Sequence, residues 1–151
     1  MNLRALTASP FATDDDVRAL LRAFHDGTLP RSAWNHRAHM TVALSFGRAL
    51  PPAAAMAAMR AGIQKFNRAA GIVSTADSGY HETITVFYMH IIALHVQSDV
   101  WPESLAADTN ALVVTWGRSD LPLTYWSRER LFSRDARARW LPPDVQALPT
   151  S

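Results

Sequence analysis

The chain has 151 residues, of which 48% are hydrophobic and 19% are charged, and it contains no cysteine. This composition excludes an intrinsically disordered or collagen-like chain, and the length fits one domain. Without cysteine there are no disulfides, thiolate metal sites or cysteine nucleophiles, so any bound metal must be held by His, Asp or Glu. We expect one folded domain over 1–151, with extended tails at 1–12 and 141–151.

The formal net charge is +2, from 15 basic and 13 acidic residues. The two signs alternate along the chain and form no basic stripe, so nucleic acid is not a predicted partner. No segment approaches the roughly 20 apolar residues that span a bilayer, and the first residues lack the apolar run of a signal peptide. We therefore predict a cytoplasmic protein that acts on a small-molecule substrate without a membrane partner, and five tryptophans leave room for a homodimer interface.

Alanine is abundant, β-branched residues occur only in short groups, and no stretch alternates apolar and polar residues, so the propensities favour helix throughout. The sequence thus predicts an all-α fold, a compact bundle of about five to six helices with an irregular C-terminal strap. Thr13 and Ser32 are the expected N-caps of the first two helices, and Ser104 or Asp108 opens the fifth. The predicted helices span residues 13–26, 32–50, 53–70, 80–97, 104–116 and 133–140.

The second helix carries the first candidate site, in the run Trp34-Asn35-His36-Arg37-Ala38-His39. His36 and His39 are three residues apart, so both imidazoles lie on one helix face and can reach one point. Ala43 and Gly47 continue this face and leave space for something to approach. The spacing is typical of a chelating pair.

The second candidate site opens the fourth helix, in the run Gly79-Tyr80-His81-Glu82-Thr83-Ile84-Thr85. After Glu82 this helix has no Asp, Glu, Lys or Arg until Asp99, which predicts a buried central helix. Polar groups inside an apolar bundle are unfavourable unless they are paired, so we expect the two histidine clusters to meet.

If the clusters converge, His36, His39 and His81 supply the ligands of an open site for a divalent metal ion, whether zinc, iron, copper or manganese. Glu82 is then a fourth ligand or the base for metal-bound water. The sequence thus predicts a metal-dependent enzyme for hydrolysis, hydration or oxygen chemistry on a small organic molecule. The predicted catalytic residues are Glu82, Tyr80 and Thr85, and the predicted substrate-binding residues include Trp34 and Tyr88.

Other interpretations of the same residues stay open. His81 can cover a helix end, and Glu82 can belong to a capping box with Ser78 or Gly79 as N-cap. His81, Glu82 and His36 can also form a metal-free acid–base group. A third alternative is a non-catalytic ligand-binding or regulatory bundle whose histidines only form hydrogen bonds.

The segment 125–134 mixes aromatic residues with arginines. One interpretation is a flap that covers a pocket and offers Arg128 or Arg130 to an anionic substrate. The other, which we favour, is a strap that packs on the bundle while its arginines stay solvated. The packing residues would be Trp126, Leu131, Phe132 and Trp140.

The chain resembles a group of small uncharacterised bacterial proteins, over about residues 24 to 148. The resemblance depends on three runs that follow one another in this order, at 34–39, 79–85 and 125–133. The resemblance implies neither an activity nor a cofactor, so the metal hypothesis depends on the residues themselves.

Overall fold

The computed structural model describes residues 2–98 and 102–150, in which helices are joined by loops and no β-strand occurs. The all-α prediction is confirmed, and the six predicted helices correspond to α2–α6 and α8. Short 3₁₀ turns occur at Arg31–Ala33 and Leu121–Thr124. The α-helices are α1 (Leu3–Ala8), α2 (Asp14–Asp26), α3 (His36–Ala49), α4 (Pro52–Ala69), α5 (Glu82–Gln97), α6 (Leu105–Trp116), α7 (Arg128–Leu131) and α8 (Arg134–Ala138).

Side-chain caps explain where these helices begin. Thr13 accepts from the Asp16 backbone N–H, and the Asp16 carboxylate accepts from the Thr13 N–H, which completes a capping box. Ser104 and Ser133 cap α6 and α8 by accepting from the backbone N–H groups of Ala107 and Ala136. The predicted cap at Ser32 is wrong, because Ser32 lies in a 3₁₀ turn and Asn35 caps α3 instead.

The first twelve residues are not the extended tail that the sequence suggested, because Leu3–Ala8 forms α1. Six residues are too few to show helical periodicity, and the contacts of α1 with α2, α3 and the turn at Arg31–Ala33 stabilise it instead. Met1 and Ser151, the outer ends of the predicted tails, lie outside the described residues.

Helix α5 is the centre of the fold. It packs against α3, α4, α6 and α8, and Phe87, Ile91 and Ile92 are fully buried. After Glu82 the helix has no Asp, Glu, Lys or Arg, which is what this position requires. None of the described helices combines the length and apolar character needed to cross a membrane.

The strap runs from Tyr125 past α8 to the tail and is tied to α5 by hydrogen bonds. Trp126 is fully buried, and its indole N–H donates to the Leu141 carbonyl at 2.9 Å. Thr83 on α5 donates to the Arg139 carbonyl at 2.8 Å and accepts from the Leu141 N–H at 3.1 Å. Leu131 is buried, but Phe132 is 51% exposed and does not pack as predicted.

Candidate functional site

A cavity of about 290 Å³ lies between α3, α4 and α5. Its walls are mostly apolar, with a few polar groups among them, the usual composition of a small-molecule site. The lining residues are Trp34, Asn35, His36, His39, Met40, Ala43, Met59, Ile63, Ile84, Thr85, Tyr88 and Met89.

Asn35 fixes the start of α3 and with it both histidines. Its side-chain oxygen accepts from the Ala38 N–H at 3.0 Å, and its amide donates to the Thr7 carbonyl of α1 at 2.8 Å. His36 is the first helical residue and His39 follows one turn later, so both side chains line the cavity. The structure therefore brings these two predicted residues together.

The His36 ring has a buried nitrogen without a partner. Its Nε2 is the one buried side-chain nitrogen or oxygen in the described part of the chain that makes no hydrogen bond. The ring packs edge-on against Tyr88, with 4.9 Å between centroids. Burial lowers the pKa of His36 below 6.5, so the imidazole is neutral at pH 7.

His39 lies beside it and is also neutral. Its ring stacks on the Trp34 indole, with 3.9 Å between centroids and 29° between planes. Burial lowers the pKa of His39 to about 3, and the neighbouring His36 contributes further in the same direction. At neutral pH the cavity therefore contains two uncharged imidazoles.

Tyr88 and Trp34, which the sequence predicted to bind substrate, form part of the cavity wall. The Tyr88 hydroxyl donates to the Arg118 carbonyl at 2.6 Å, which holds the ring in place. Burial raises the pKa of Tyr88, with a smaller contribution from the Asp120 carboxylate. This phenol is neutral and already engaged, so it acts as a wall of the cavity.

His81 does not join the other two histidines. It is the N-cap of α5, where its Nδ1 accepts from the Ile84 N–H at 3.2 Å. Because Nδ1 is the acceptor, Nε2 carries the proton and donates to the Leu131 carbonyl at 2.8 Å. Both ring nitrogens are thus occupied by backbone groups, and burial lowers the pKa of this imidazole.

Glu82 and Tyr80 also lie outside the cavity. The Glu82 carboxylate forms a two-bond ion pair with the Arg60 guanidinium and accepts from the Tyr80 hydroxyl. The hydrogen bond with Arg60 lowers the pKa of Glu82, while burial and the bond to Glu82 raise that of Tyr80. This carboxylate is a structural anion between α4 and α5, not the capping-box member or metal ligand that the sequence suggested.

Thr85 is the predicted catalytic residue that does line the cavity, although its hydroxyl donates to the His81 carbonyl at 2.8 Å. Arg128 and Arg130 do not line it. The Arg128 guanidinium lies 5.3 Å from the centroid of the Phe132 ring, and Arg130 donates to the Pro142 carbonyl at 2.7 Å. The segment that carries these arginines is a strap and not a flap over this cavity.

Sequence reasoning did not identify Arg60 as a member of the group with Glu82 and Tyr80. Its partner Glu82 is 22 positions away in sequence, on another helix, and no local spacing could reveal the pair. The apolar wall that α4 contributes to the cavity could be recognised in the sequence, because Met59 and Ile63 belong to the apolar stripe of this helix.

The predicted three-histidine metal site does not fit this arrangement. Within residues 2–98 and 102–150, no group of three or more His, Asp or Glu side chains is placed to hold a metal ion. His36 and His39 offer two ligands at the cavity, while His81 and Glu82 are engaged elsewhere.

No family model, curated protein or solved structure matches the chain. The function must therefore be inferred from the cavity and its chemistry.

Proposed function

We propose that the cavity between α3, α4 and α5 binds a small, uncharged, mostly apolar organic molecule and that His36 exchanges a proton with it without a metal. The observation that carries this proposal is the buried, unpartnered Nε2 of His36 on the cavity wall. A buried polar atom without a partner is unfavourable, and a ligand that offers a hydrogen bond there removes the penalty. The proposal also includes the cytoplasmic location that the sequence predicts.

The protonation state of His36 suits a base. Because burial lowers its pKa, the imidazole is free to accept a proton at neutral pH. Nε2 takes the proton from the substrate, the imidazolium forms briefly, and the same proton returns to the product or to water. His39 is too weakly basic to compete, and the apolar walls hold the body of the substrate.

Binding is tested first, with phenol and anisole as probes. The two molecules are similar in shape, but phenol alone can donate a hydrogen bond to Nε2. We expect phenol to bind wild-type protein about tenfold more tightly than anisole, as for a hydrogen bond to a buried acceptor. NMR titration measures both affinities.

In His36→Leu the preference for phenol should fall to about twofold or less, because a leucine side chain cannot accept a hydrogen bond. His90→Leu is the matched control, because His90 on α5 is half-buried and its Nε2 bonds the Pro149 carbonyl, away from the cavity. Equal affinity of wild-type protein for phenol and anisole would contradict the binding proposal.

Proton transfer is tested with 5-nitrobenzisoxazole, which opens when a base removes the proton on its ring carbon. The C–H electrons form the nitrile, the N–O bond breaks, and a phenolate leaves, so a single base completes the reaction. We expect ring opening by wild-type protein in EDTA, its loss in His36→Gln and its retention in His90→Gln. The rate should rise with pH below 6.5 and level off above pH 7, because His36 must be deprotonated.

The same experiment separates the alternatives. Phenol-selective binding without ring opening would support the non-catalytic binding bundle and reject the base. Ring opening that disappears in EDTA would support the metal-dependent reaction instead. Metal analysis of protein purified without a histidine tag adds an independent test, and we expect equal, substoichiometric metal in wild-type protein and in the His36→Ala, His39→Ala double variant.

A further inference from the structure

A second cavity, of about 310 Å³, lies between the C-terminal end of α2, the turn at Arg31–Ala33 and α4. Three phenylalanines form its aromatic walls, and α3 contributes one of them. The lining residues are Phe24, His25, Gly27, Leu29, Pro30, Arg31, Phe46, Gly62, Lys65, Phe66, Ala69 and Ala70.

The aromatic walls are held in a fixed arrangement. Phe24 and Phe66 are nearly parallel, with 18° between planes and 6.4 Å between centroids. His25 meets Phe46 edge-on at 5.9 Å. Gly62 keeps the cavity open, because a Cβ at this position would lie 3.0 Å from the Phe24 ring. These walls suit a flat or compact apolar body.

The charged residues that line this cavity are all of one sign. Arg31 and Lys65 line it, and no Asp or Glu is among its described lining residues. Within the described chain, neither of these side chains forms a hydrogen bond or an ion pair. Both cations are therefore available to a ligand.

The arginine-rich cleft beside α8 is different in this respect. It is larger, but Arg134 is paired with Asp77, Arg139 with Asp135 and Arg60 with Glu82, while Arg137 donates to the Gly79 carbonyl. The four arginines that line this cleft thus all have partners within the protein. Unopposed positive charge next to an apolar cavity is found instead at Arg31 and Lys65.

We infer that this second cavity binds a small aromatic carboxylate, with its ring against the phenylalanine walls and its carboxylate at the mouth near Arg31 and Lys65. The ring is removed from water by the apolar walls, while the carboxylate stays at the exposed rim and meets two cations. The inference concerns a different site from the His36 cavity and does not depend on the function proposed there.

Benzoate and benzamide are the probes, since they share a ring and differ in charge. Calorimetric titration at low salt should show benzoate binding more tightly than benzamide. Lys65→Gln and Arg31→Gln should each weaken benzoate binding about threefold to fivefold, as for partly exposed ion pairs, and leave benzamide unchanged. His36→Gln should leave the affinity for benzoate unchanged.

Arg68→Gln is the matched control, because Arg68 is an exposed cation on the same helix and does not line the cavity. The inference is overturned if benzoate binds no better than benzamide. It is also overturned if Arg68→Gln weakens benzoate binding as much as Lys65→Gln, because general attraction to a positive surface would then explain the effect.

Discussion

His36 and His81 are both histidines at the start of a long helix, yet they do opposite things. His81 is itself the N-cap of α5, and its ring folds back to accept from the Ile84 N–H and to donate to the Leu131 carbonyl. His36 comes one residue after the cap of α3, so its ring points away from the helix end and into a cavity. One position relative to the cap decides whether an imidazole serves the backbone or remains available to a ligand.

The largest expected effect contrasts these two residues directly. His81→Leu removes a cap and leaves the buried Leu131 carbonyl unpaired, so we expect unfolding free energy to fall by about 2–4 kcal/mol. His36→Leu removes a buried nitrogen that has no partner and should change stability by less than about 1 kcal/mol. Urea denaturation at pH 7 measures both, and equal losses would break the comparison.

The second effect concerns His39, whose pKa is lowered to about 3 in the folded chain. Because the unfolded chain binds a proton near pH 6.5 and the folded chain does not, stability should fall as the pH drops below 6.5. We expect a loss of about 1–2 kcal/mol between pH 7 and pH 5 from this residue. In His39→Asn this part of the pH dependence should be absent from urea unfolding curves, and an unchanged slope would show that His39 titrates normally.

The smallest effect concerns Glu82, the acidic neighbour of His81. Since Arg60 is 39% exposed, its ion pair with Glu82 is partly screened, and Glu82→Gln should destabilise by about 1 kcal/mol at pH 7. The folded-state pKa of Glu82 lies below 4.5, so this contribution is present above pH 4.5 and is lost as the pH falls through the folded-state value.

A double-mutant cycle with Arg60→Gln isolates the Arg60–Glu82 term. A coupling energy near zero at pH 7 would show that the pair contributes nothing to stability.

Much of the fold could be predicted from local signals. Thr13, Ser104 and Ser133 mark helix starts through a hydroxyl that reaches the backbone a few residues on, and the uncharged run after Glu82 marks α5 as buried. Helices α1 and α7 were not predicted, because six and four residues do not complete a periodic pattern, although Ser127 caps α7 as Ser133 caps α8.

The candidate site could be predicted only in part, because its decisive bonds join distant positions. The i, i+3 spacing of His36 and His39 places both on one face, and that face does line a cavity. Nothing local indicates that the Leu131 carbonyl, 50 positions away, occupies His81, or that Arg60 occupies Glu82. Tertiary partners thus decide which polar residues remain available.

The hydrogen bonds of Thr83 with Arg139 and Leu141 join α5 to a segment that is synthesised much later. Helix α5 emerges from the ribosome long before Trp126 and Leu141, the residues that complete its surroundings. Helices α3 and α4 precede α5 and can cover part of it, but the apolar surface that faces the strap stays uncovered until then, and such surfaces promote aggregation. We expect nascent chains stalled before residue 126 to bind chaperones and to be digested by protease, and full-length released chains to resist digestion.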